Sequence, residues 1–327
     1  MSAERRLRIL YVEPFEAGSH ARFTRTLTTG VDAEWTCVTL PGRHWKWRMR
    51  GTAPWLALAR ARETQGPFDL IWASSFVNLA EVRGLLPHLA SVPAILHFHE
   101  NQFAYPARPG PAAGFDLDFG WVQMVAATAA TRLVFNSRWN RDSFLAGAAD
   151  LLGRLPDAVP PGWIELLRER AEVLPVPLDL PEVTAADLRD DAPPEERRLG
   201  PVVLWNHRWE HDKAPEDLFG ALDELVRRGV PFRVAVCGAS FRAVPACFAE
   251  ARERLGSRVL HWGHASARVD YERLLRRAHV AVSTARQEFF GTALLEAVWC
   301  GAAPLAPRRL LFATRAMEYA DVTFFRI

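Results

Sequence analysis

The stretch Glu288-Phe-Phe-Gly-Thr-Ala-Leu-Leu-Glu296 places two carboxylates on either side of a short apolar run that contains Gly291. Residues 278 to 283, just upstream, form a short β-rich run, and residues 292 to 299 have a helical pattern. The two acids therefore lie at a strand-to-helix turn. Such turns join the elements of a parallel sheet, so the stretch predicts an α/β fold for the region around it.

Strand and helix patterns alternate in the same way along most of the chain. The predicted strands cover residues 8–13, 34–40, 70–73, 94–98, 132–135, 202–205, 232–237, 259–262 and 280–283. The predicted helices include residues 21–28, 215–228, 244–254, 267–277 and 292–299. Residues 184–201 are polar, charged and proline-bearing, which favours a linker. We expect two α/β domains, residues 1–183 and 202–327, with ligands in a cleft beyond the carboxyl ends of their strands.

Composition limits the class of protein. With 327 residues, 49% of them hydrophobic and 24% charged, the chain is typical of a soluble globular enzyme. A net charge of +2 gives no general attraction to nucleic acid, so any such contact needs a local basic patch. The first apolar run is too short for a signal peptide, and no run approaches the roughly 18 apolar residues of a membrane span. The four cysteines form no CxxC pair, so we expect reduced thiols in a cytoplasmic protein.

Two cations follow the first strand of the second predicted domain. Arg208 and Lys213 lie five residues apart, just before a predicted helix, so both could converge on one anion. An arginine fork and a lysine point charge, fixed in place, can stabilise a departing diphosphate without a metal ion. The alternative is that these cations pair with Glu210 and Asp212 on a solvated loop.

The acids of the opening stretch fit the same kind of ligand. Amides at the start of a helix suit a phosphate, Glu288 lies in the loop where it could reach a sugar hydroxyl, and Glu296 could accept hydrogen bonds from a ribose. Together with Arg208 and Lys213, they predict a sugar-nucleotide site. The alternative is a capped surface helix with two solvated acids.

A run of polar side chains follows the predicted strand at residues 94–98. The run consists of His99, Glu100, Asn101 and Gln102. Buried in a core, these side chains would lack hydrogen-bond partners, so they predict a site. HExxH spacing is absent, and a metal ion is not expected. The loop Gly18-Ser19-His20 gives a weaker signal, since its amides could approach a phosphate or a sugar.

Cations and aromatic rings alternate in a segment near the N-terminus. It reads Arg43, His44, Trp45, Lys46, Trp47, Arg48, Met49 and Arg50. Rings beside cations provide stacking surfaces next to phosphate contacts, the pattern expected for single-stranded or looped RNA. The same alternation also fits an amphipathic edge strand or an interdomain lid, and basic runs are commonly only solvated faces.

These motifs together resemble a known family. Asn206-His-Arg208 with Lys213, followed by the Glu288 and Glu296 pair, resembles the retaining, glycogen-synthase-like glycosyltransferases (family 4), whose GT-B fold consists of two Rossmann-like domains. The loop at residues 18–20 and the stretches at residues 40–51, 99–106 and 205–213 resemble more closely the tRNA-queuosine alpha-mannosyltransferases and related glycosyltransferase-like proteins. The resemblance covers roughly residues 8 to 307.

The resemblance implies retaining, metal-independent transfer of mannose from GDP-mannose, the donor substrate, to queuosine in a tRNA anticodon, with no further cofactor. By motif position, the catalytic residues would be His99, Arg208, Lys213 and Glu288. The donor would contact Gly18, Ser19, His20, Asn206, Phe290, Gly291, Thr292 and Glu296. For the acceptor, our hypothesis places queuosine against Glu100, Asn101 and Gln102. It places the anticodon loop against Arg43, Trp45, Lys46, Trp47, Arg48 and Arg50.

The chain departs from the family pattern after Pro307, where the expected continuation into a further helix is not recognisable. An altered end of this kind could leave the second domain incomplete and loosen domain closure. Two other functions stay open at this point. One is the same chemistry on a lipid or small-molecule acceptor, and the other is a non-catalytic module that binds a sugar nucleotide or RNA. Nothing in the sequence indicates the oligomeric state.

Overall fold

The computed structural model describes residues 5–105, 117–184, 195, 198–240 and 244–312. The chain separates into two compact units, Met1–Asp179 and Leu180–Ile327. Each unit is built around its own parallel sheet with helices between the strands, which confirms the predicted α/β class. Most of the predicted linker and most of the chain after Pro307 lie outside the described residues.

The first unit contains a six-stranded parallel sheet. Its strands are β1 (Arg8–Glu16), β2 (Glu34–Pro41), β3 (Leu70–Ser74), β4 (Ala94–Phe98), β5 (Arg132–Phe135) and β6 (Ala171–Val173). Its helices are α1 (Ser19–Gly30), α2 (Trp45–Ala59), α3 (Leu79–Leu85), α4 (Leu117–Ala129), α5 (Arg138–Leu152) and α6 (Trp163–Glu169). The strand order is β2-β1-β3-β4-β5-β6. It reverses at β1, and ligands in such sheets bind at the carboxyl ends of the strands beside a reversal.

Apolar strands form the centre of this unit. Leu10 and Tyr11 are neighbours in β1 and point to opposite faces of the sheet, yet both are almost completely buried. Both faces are therefore covered, as expected for a parallel sheet. Phe98 of β4 stacks on Phe135 of β5 at a ring-centroid distance of 4.4 Å, and Phe144 of α5 packs on both. Full burial of each such ring stabilises the fold by about 1.5–3 kcal/mol.

The second unit contains a five-stranded parallel sheet. Its strands are β7 (Val202–Trp205), β8 (Arg233–Cys237), β9 (Val259–Gly263), β10 (Val280–Val282) and β11 (Ala303–Leu305). Its described helices are α7 (Pro215–Arg227), α8 (Cys247–Leu255), α9 (Arg268–Arg277) and α10 (Thr292–Trp299). The strand order is β11-β10-β7-β8-β9, so β7 and β10 are neighbours. The loops that follow these two strands carry the predicted catalytic residues Arg208, Lys213 and Glu288.

The segment around Trp45 is the main difference from the sequence predictions. It begins helix α2, so the edge-strand alternative is wrong. Met49, Ala53 and Leu56 are buried at helical spacing, which explains the helix, while Gly51 and the internal proline obscured it in the sequence. Strands β6 and β11 were also missed, because Ala-Glu-Val and Ala-Pro-Leu each interrupt the apolar run, whereas the equally short β10 reads Val-Ala-Val. Within the described parts of the chain, no helix is both long enough and apolar enough to cross a bilayer.

Candidate active site

Glu288 holds the turn between β10 and α10. One oxygen of its carboxylate accepts hydrogen bonds from the backbone N–H groups of Phe289 and Gly291, both at 3.2 Å. Gly291 has a φ of 78°, in the left-handed region that favours glycine, and α10 begins at the next residue. The predicted strand-to-helix turn is thus confirmed. Phe290 and Thr292 are partly exposed, whereas the Gly291 amide, which the resemblance assigns to the diphosphate, is bonded to Glu288.

Lys213 is the buried cation of this site. Its ammonium lies 2.7 Å from the carbonyl oxygen of Gln287 and 3.2 and 3.4 Å from carboxylate oxygens of Asp212 and Glu288. Burial lowers the pKa of Lys213, but the two carboxylates outweigh burial and raise the pKa above its ordinary value. The side chain is therefore a fixed positive charge at neutral pH.

The negative charge of Glu288 is stabilised by the same contacts. Burial raises the pKa of its carboxyl, but the charge of Lys213 and the hydrogen bonds from backbone amides of the turn lower the pKa further, to about 2. His207 beside the pair is buried, and burial followed by the charge of Lys213 lowers its pKa to about 4. At pH 7, Glu288 in the loop after β10 is therefore an anion. In the loop after β7, Lys213 is a cation and His207 is a neutral imidazole.

Arg208 lies at the surface of the same loop. Its side chain is 56% exposed and pairs with Glu210 at 3.2 Å. Arg208 therefore pairs with a neighbouring acid on a solvated loop, as the alternative to the diphosphate site predicts. That alternative does not describe Lys213, which pairs with Asp212 but is buried. A salt bridge as exposed as that of Arg208 is worth about 1 kcal/mol or less, so exchange of Glu210 for a phosphate costs little.

Glu296 is buried in α10 and hydrogen-bonded on both carboxylate oxygens. Tyr271 donates to one oxygen at 2.8 Å, and Arg268 donates to the other at 3.1 Å. The alternative of a solvated acid is therefore wrong for Glu296, which is 3% exposed. Asn206, just after β7, donates to the hydroxyl of Tyr271 at 3.0 Å and to the carbonyl of Ala293 at 2.7 Å. The structure brings Asn206 and Glu296 together through Tyr271, which the sequence analysis did not identify.

Glu13 in the first unit is a buried carboxylate that the sequence analysis missed. It lies in β1 and is fully buried. One oxygen accepts hydrogen bonds from the backbone N–H of Phe15 at 2.9 Å and the hydroxyl of Ser74 at 3.1 Å. The other oxygen lies 3.0 Å from Nδ1 of His20. The available sequence signal was an acid in an otherwise apolar strand, next to a polar loop.

The loop after β1 leads into α1, which carries His20, the first predicted site histidine. Gly18 has a φ of 54°, again in the left-handed region, and Ser19 begins α1; both residues are exposed. His20 is buried, stacks on Phe76 at a ring-centroid distance of 5.6 Å and lies 4.0 Å from the ring of His99. The structure therefore brings the two predicted site histidines of this unit together.

His99 lies just after β4 among other rings. It makes edge contacts with His97 and Phe23 at ring-centroid distances of 4.4 and 4.7 Å. Burial lowers the pKa of His99 well below its ordinary value, and the neighbouring His20 and His97 lower it further. Burial also lowers the pKa of His97 to about 3. His99 is therefore neutral at physiological pH.

Glu13, His20 and His99 together have the composition of a metal site. One potential ligand atom from each lies within 4.8 Å of the others, and such a set can hold a metal ion. The Glu13 oxygen is, however, hydrogen-bonded to His20 and lies 3.8 Å from Nε2 of His99. Carboxylate–imidazole hydrogen bonding accounts for this arrangement, and metal-independent chemistry remains a prediction.

Asn101 has a structural role. It is fully buried, and its side-chain amide donates to Asn140 and to the hydroxyl of Ser143. Its side-chain oxygen accepts a hydrogen bond from the backbone N–H of Ala104. This corrects the predicted acceptor-binding role of Asn101, because its polar atoms bind the protein and it exposes no surface.

Glu100 and Gln102 lie closer to the surface and are partly exposed. The carboxylate of Glu100 accepts hydrogen bonds from the hydroxyl of Tyr105 at 2.7 Å and from the amide of Gln102 at 3.4 Å. Pro106, the last residue of this motif, lies outside the described residues. Glu100 and Gln102 therefore stay predicted acceptor contacts.

The residues of the basic and aromatic segment point to different faces of α2, because only residues three and four apart share a face of a helix. Lys46 and Arg50 both lie over the ring of Phe119, with the ammonium nitrogen 5.2 Å and the guanidinium carbon 4.4 Å from its centroid. Arg50 also pairs with Asp118. Trp47 beside them is 64% exposed.

The other predicted residues of the segment are less uniform in exposure. Trp45 is partly buried, with its ring 5.1 Å from that of Phe119, and Arg48 is partly buried as well. Arg43, in the loop before the helix, is exposed. The exposed members form what we call the α2 patch, which consists of Arg43, Lys46, Trp47 and Arg50.

Two family models and a curated relative match this chain. Residues 8–178 match the family model described as tRNA-queuosine alpha-mannosyltransferase N-terminal, and residues 189–309 match that of glycosyl transferases group 1. A relative from Drosophila melanogaster, a tRNA-queuosine alpha-mannosyltransferase, is 35% identical over 311 residues. The match covers 93% of this chain and 80% of the relative.

Two solved structures share the fold. Anabaena HepE in complex with UDP-glucose superposes with a TM-score of 0.64 at 16% identity, covering 98% of this chain and 85% of that one. Sucrose-phosphate synthase from Thermosynechococcus elongatus gives a TM-score of 0.61 at 17% identity, covering 92% and 81%. These matches confirm the predicted GT-B fold. Since the N-terminal family model spans more than half of the chain and the Drosophila relative matches nearly all of it, the chain belongs to the tRNA-queuosine alpha-mannosyltransferase family of glycosyltransferases.

Proposed function

We propose that the protein transfers mannose from GDP-mannose to a hydroxyl of queuosine in a tRNA anticodon loop, with retention of configuration and without a metal ion. The observation that carries the proposal is the pair formed by the buried Lys213 and the partly buried Glu288 at the start of α10, in a chain 35% identical to a tRNA-queuosine alpha-mannosyltransferase. The identities of the base and the sugar rest on family membership. A tRNA acceptor also fits the cytoplasmic location predicted from the sequence.

The donor side of the reaction is an electrostatic task. Negative charge grows on the diphosphate as its bond to the anomeric carbon breaks, and a preorganised cation stabilises that charge. Lys213 is such a cation, since its contacts hold the ammonium in place and raise its pKa. Arg208 adds a second charge when it exchanges its exposed contact with Glu210 for the diphosphate. Glu288 accepts a hydrogen bond from a mannose hydroxyl.

The acceptor side supplies the hydroxyl. Its oxygen forms a bond to the anomeric carbon, the bond from that carbon to the diphosphate breaks, and the hydroxyl proton leaves with GDP. His99 is neutral at pH 7, so it orients a sugar or acceptor hydroxyl by hydrogen bonding. Glu100 and Gln102 contact the queuosine nucleoside, and the α2 patch binds the anticodon loop.

The test incubates the protein with a panel of sugar nucleotides and three acceptors: queuosine-bearing tRNA, the same tRNA without queuosine, and lipid vesicles. Nucleosides and lipids are then analysed by mass spectrometry. We expect a hexose on queuosine with GDP-mannose. A hexose on lipid instead would show that the acceptor is wrong. Donor binding without transfer to any acceptor would favour a non-catalytic module.

A further inference from the structure

We propose that Tyr271 and Arg268 of α9 are positioning residues for the donor nucleotide, which hold Glu296 where it accepts hydrogen bonds from the ribose. The inference rests on the proposed function only in taking the ligand to be a ribonucleoside diphosphate sugar. It adds two residues that lie outside both recognised motifs and belong to a different helix from Glu296.

The contacts fix the carboxylate of Glu296 on both sides. Tyr271 donates to one oxygen at 2.8 Å, and Arg268 donates to the other at 3.1 Å. Two donors from different side chains define the plane and direction of a carboxylate better than either alone, in the way that supporting hydrogen bonds orient other functional groups. Arg268 is itself held by Glu272, one turn further along α9, at 2.8 Å.

Asn206 fixes the direction of the hydroxyl of Tyr271. The side-chain nitrogen of Asn206 donates to that hydroxyl at 3.0 Å and to the carbonyl of Ala293 at 2.7 Å. A carbonyl oxygen can only accept, so the amide orientation of Asn206 is settled. Since the hydroxyl of Tyr271 accepts from Asn206, its own hydrogen points to Glu296. The chain of hydrogen bonds therefore runs in one direction, from Asn206 through Tyr271 to Glu296.

This chain is costly if it serves only the fold. Glu296 is 3% exposed and Asn206 is 6% exposed. In addition, the side-chain oxygen of Asn206 is buried and has no hydrogen-bond partner within the described part of the chain. An apolar residue at position 296 would pack between these helices without needing any of these groups. A retained carboxylate with dedicated donors is explained by a ligand that it must face.

The test measures nucleotide binding rather than transfer. Affinities for GDP and UDP are compared with those for their 2′,3′-dideoxy forms by calorimetry, in the wild type and in Tyr271→Phe, which keeps the ring. We expect the wild type to prefer the ribose forms by about ten- to a hundredfold, as for hydrogen bonds to a charged group. In Tyr271→Phe the preference should fall at least about threefold, because the ribose forms lose affinity and the dideoxy forms do not.

Matched variants separate positioning from folding. Arg268→Gln should reduce the ribose preference as Tyr271→Phe does. Glu272 contacts Arg268 but not Glu296, so Glu272→Gln should reduce the ribose preference less. Tyr11→Phe removes another buried hydroxyl, bonded to Thr24 in the first unit, and should leave the preference unchanged. Equal weakening of ribose and dideoxy binding in Tyr271→Phe, or no ribose preference in the wild type, would overturn the inference. A ribose preference without mannosyl transfer would contradict the proposed function alone.

Discussion

Glu13 is a fully buried carboxylate in the first unit. An unpaired buried carboxylate is strongly unfavourable, and Glu13 avoids that penalty through Phe15, Ser74 and His20. Because a carboxylate accepts but does not donate, the hydrogen of the His20 ring is assigned to Nδ1. When the His20 ring is neutral, Glu13 therefore selects the tautomer with its hydrogen on Nδ1 and its lone pair on Nε2.

Glu13→Gln tests this assignment. The amide oxygen can keep the hydrogen bonds from Phe15 and Ser74, but an NH2 group then faces Nδ1 of His20 and forces the other tautomer. We expect a folded protein whose transfer rate is about ten- to a hundredfold lower, the cost of one hydrogen bond to a charged group. Ring nitrogen shifts in NMR report the tautomer, and Glu16→Gln on the same strand is the control. A changed tautomer with an unchanged rate would show that His20 has no part in the reaction.

Glu288 gives a prediction about pH. The pKa of its carboxyl falls from an ordinary 4.5 to about 2 in the folded protein. The resulting stabilisation is fully present above pH 4.5 and is lost as the pH falls towards 2, while Lys213 stays protonated throughout. Urea unfolding should therefore show that the stability difference between wild type and Glu288→Gln shrinks over this range, by on the order of 3 kcal/mol. Glu253→Gln, on the exposed side of α8, should show no such convergence.

The site residues that could be predicted are those that stand in a recognisable local pattern. Glu288 and Gly291 share one turn, and Lys213 precedes a recognisable helix. Their spacing in the chain was therefore sufficient to identify them as site residues. Tyr271 and Glu296 lie 25 residues apart, and Glu13 and Ser74 lie 61 residues apart. Partnerships of that kind depend on which strands become neighbours in the sheet, which spacing in the chain does not reveal.

At the scale of elements, α2 shows how a local pattern can mislead. Alternating rings and cations also fitted an edge strand, but the burial of Met49, Ala53 and Leu56 selects a helix. Consecutive members of the pattern consequently point in different directions. The part offered to a partner is the α2 patch rather than the whole segment, while Trp45 and Arg48 are partly buried.

Charge reversal of the α2 patch tests its role in tRNA binding. We expect Arg43→Glu with Lys46→Glu to weaken binding and to make the slope of log K against log salt less steep by about one unit for each lost phosphate contact. Trp47→Ala should weaken binding with little change in that slope, since stacking on a base is not ionic. Arg25→Glu, an exposed change on α1, is the control. Binding and slope that match the wild type in the double variant would exclude the patch.

At the scale of the whole molecule, the order of the elements was the most predictable feature. Buried parallel strands are nearly continuous apolar runs, so most were found within a few residues of their observed bounds. Strands β6 and β11 were not, because a glutamate interrupts the first and a proline interrupts the second. Each unit has its own sheet and core, and each contributes separately identifiable groups: Lys213, Glu288 and Glu296 in one, and Glu13, His20 and His99 in the other.

The central claim is that the protein transfers mannose to queuosine and that Glu288 takes part in this transfer. The most direct measurement is mass spectrometry of the queuosine nucleoside after single turnover with GDP-mannose, for the wild type and for Glu288→Gln. The account predicts mannosyl-queuosine with the wild type and at least about a hundredfold slower formation with Glu288→Gln, as for loss of a transition-state contact. A wild-type protein that binds GDP-mannose and queuosine-bearing tRNA but leaves queuosine unmodified would contradict it.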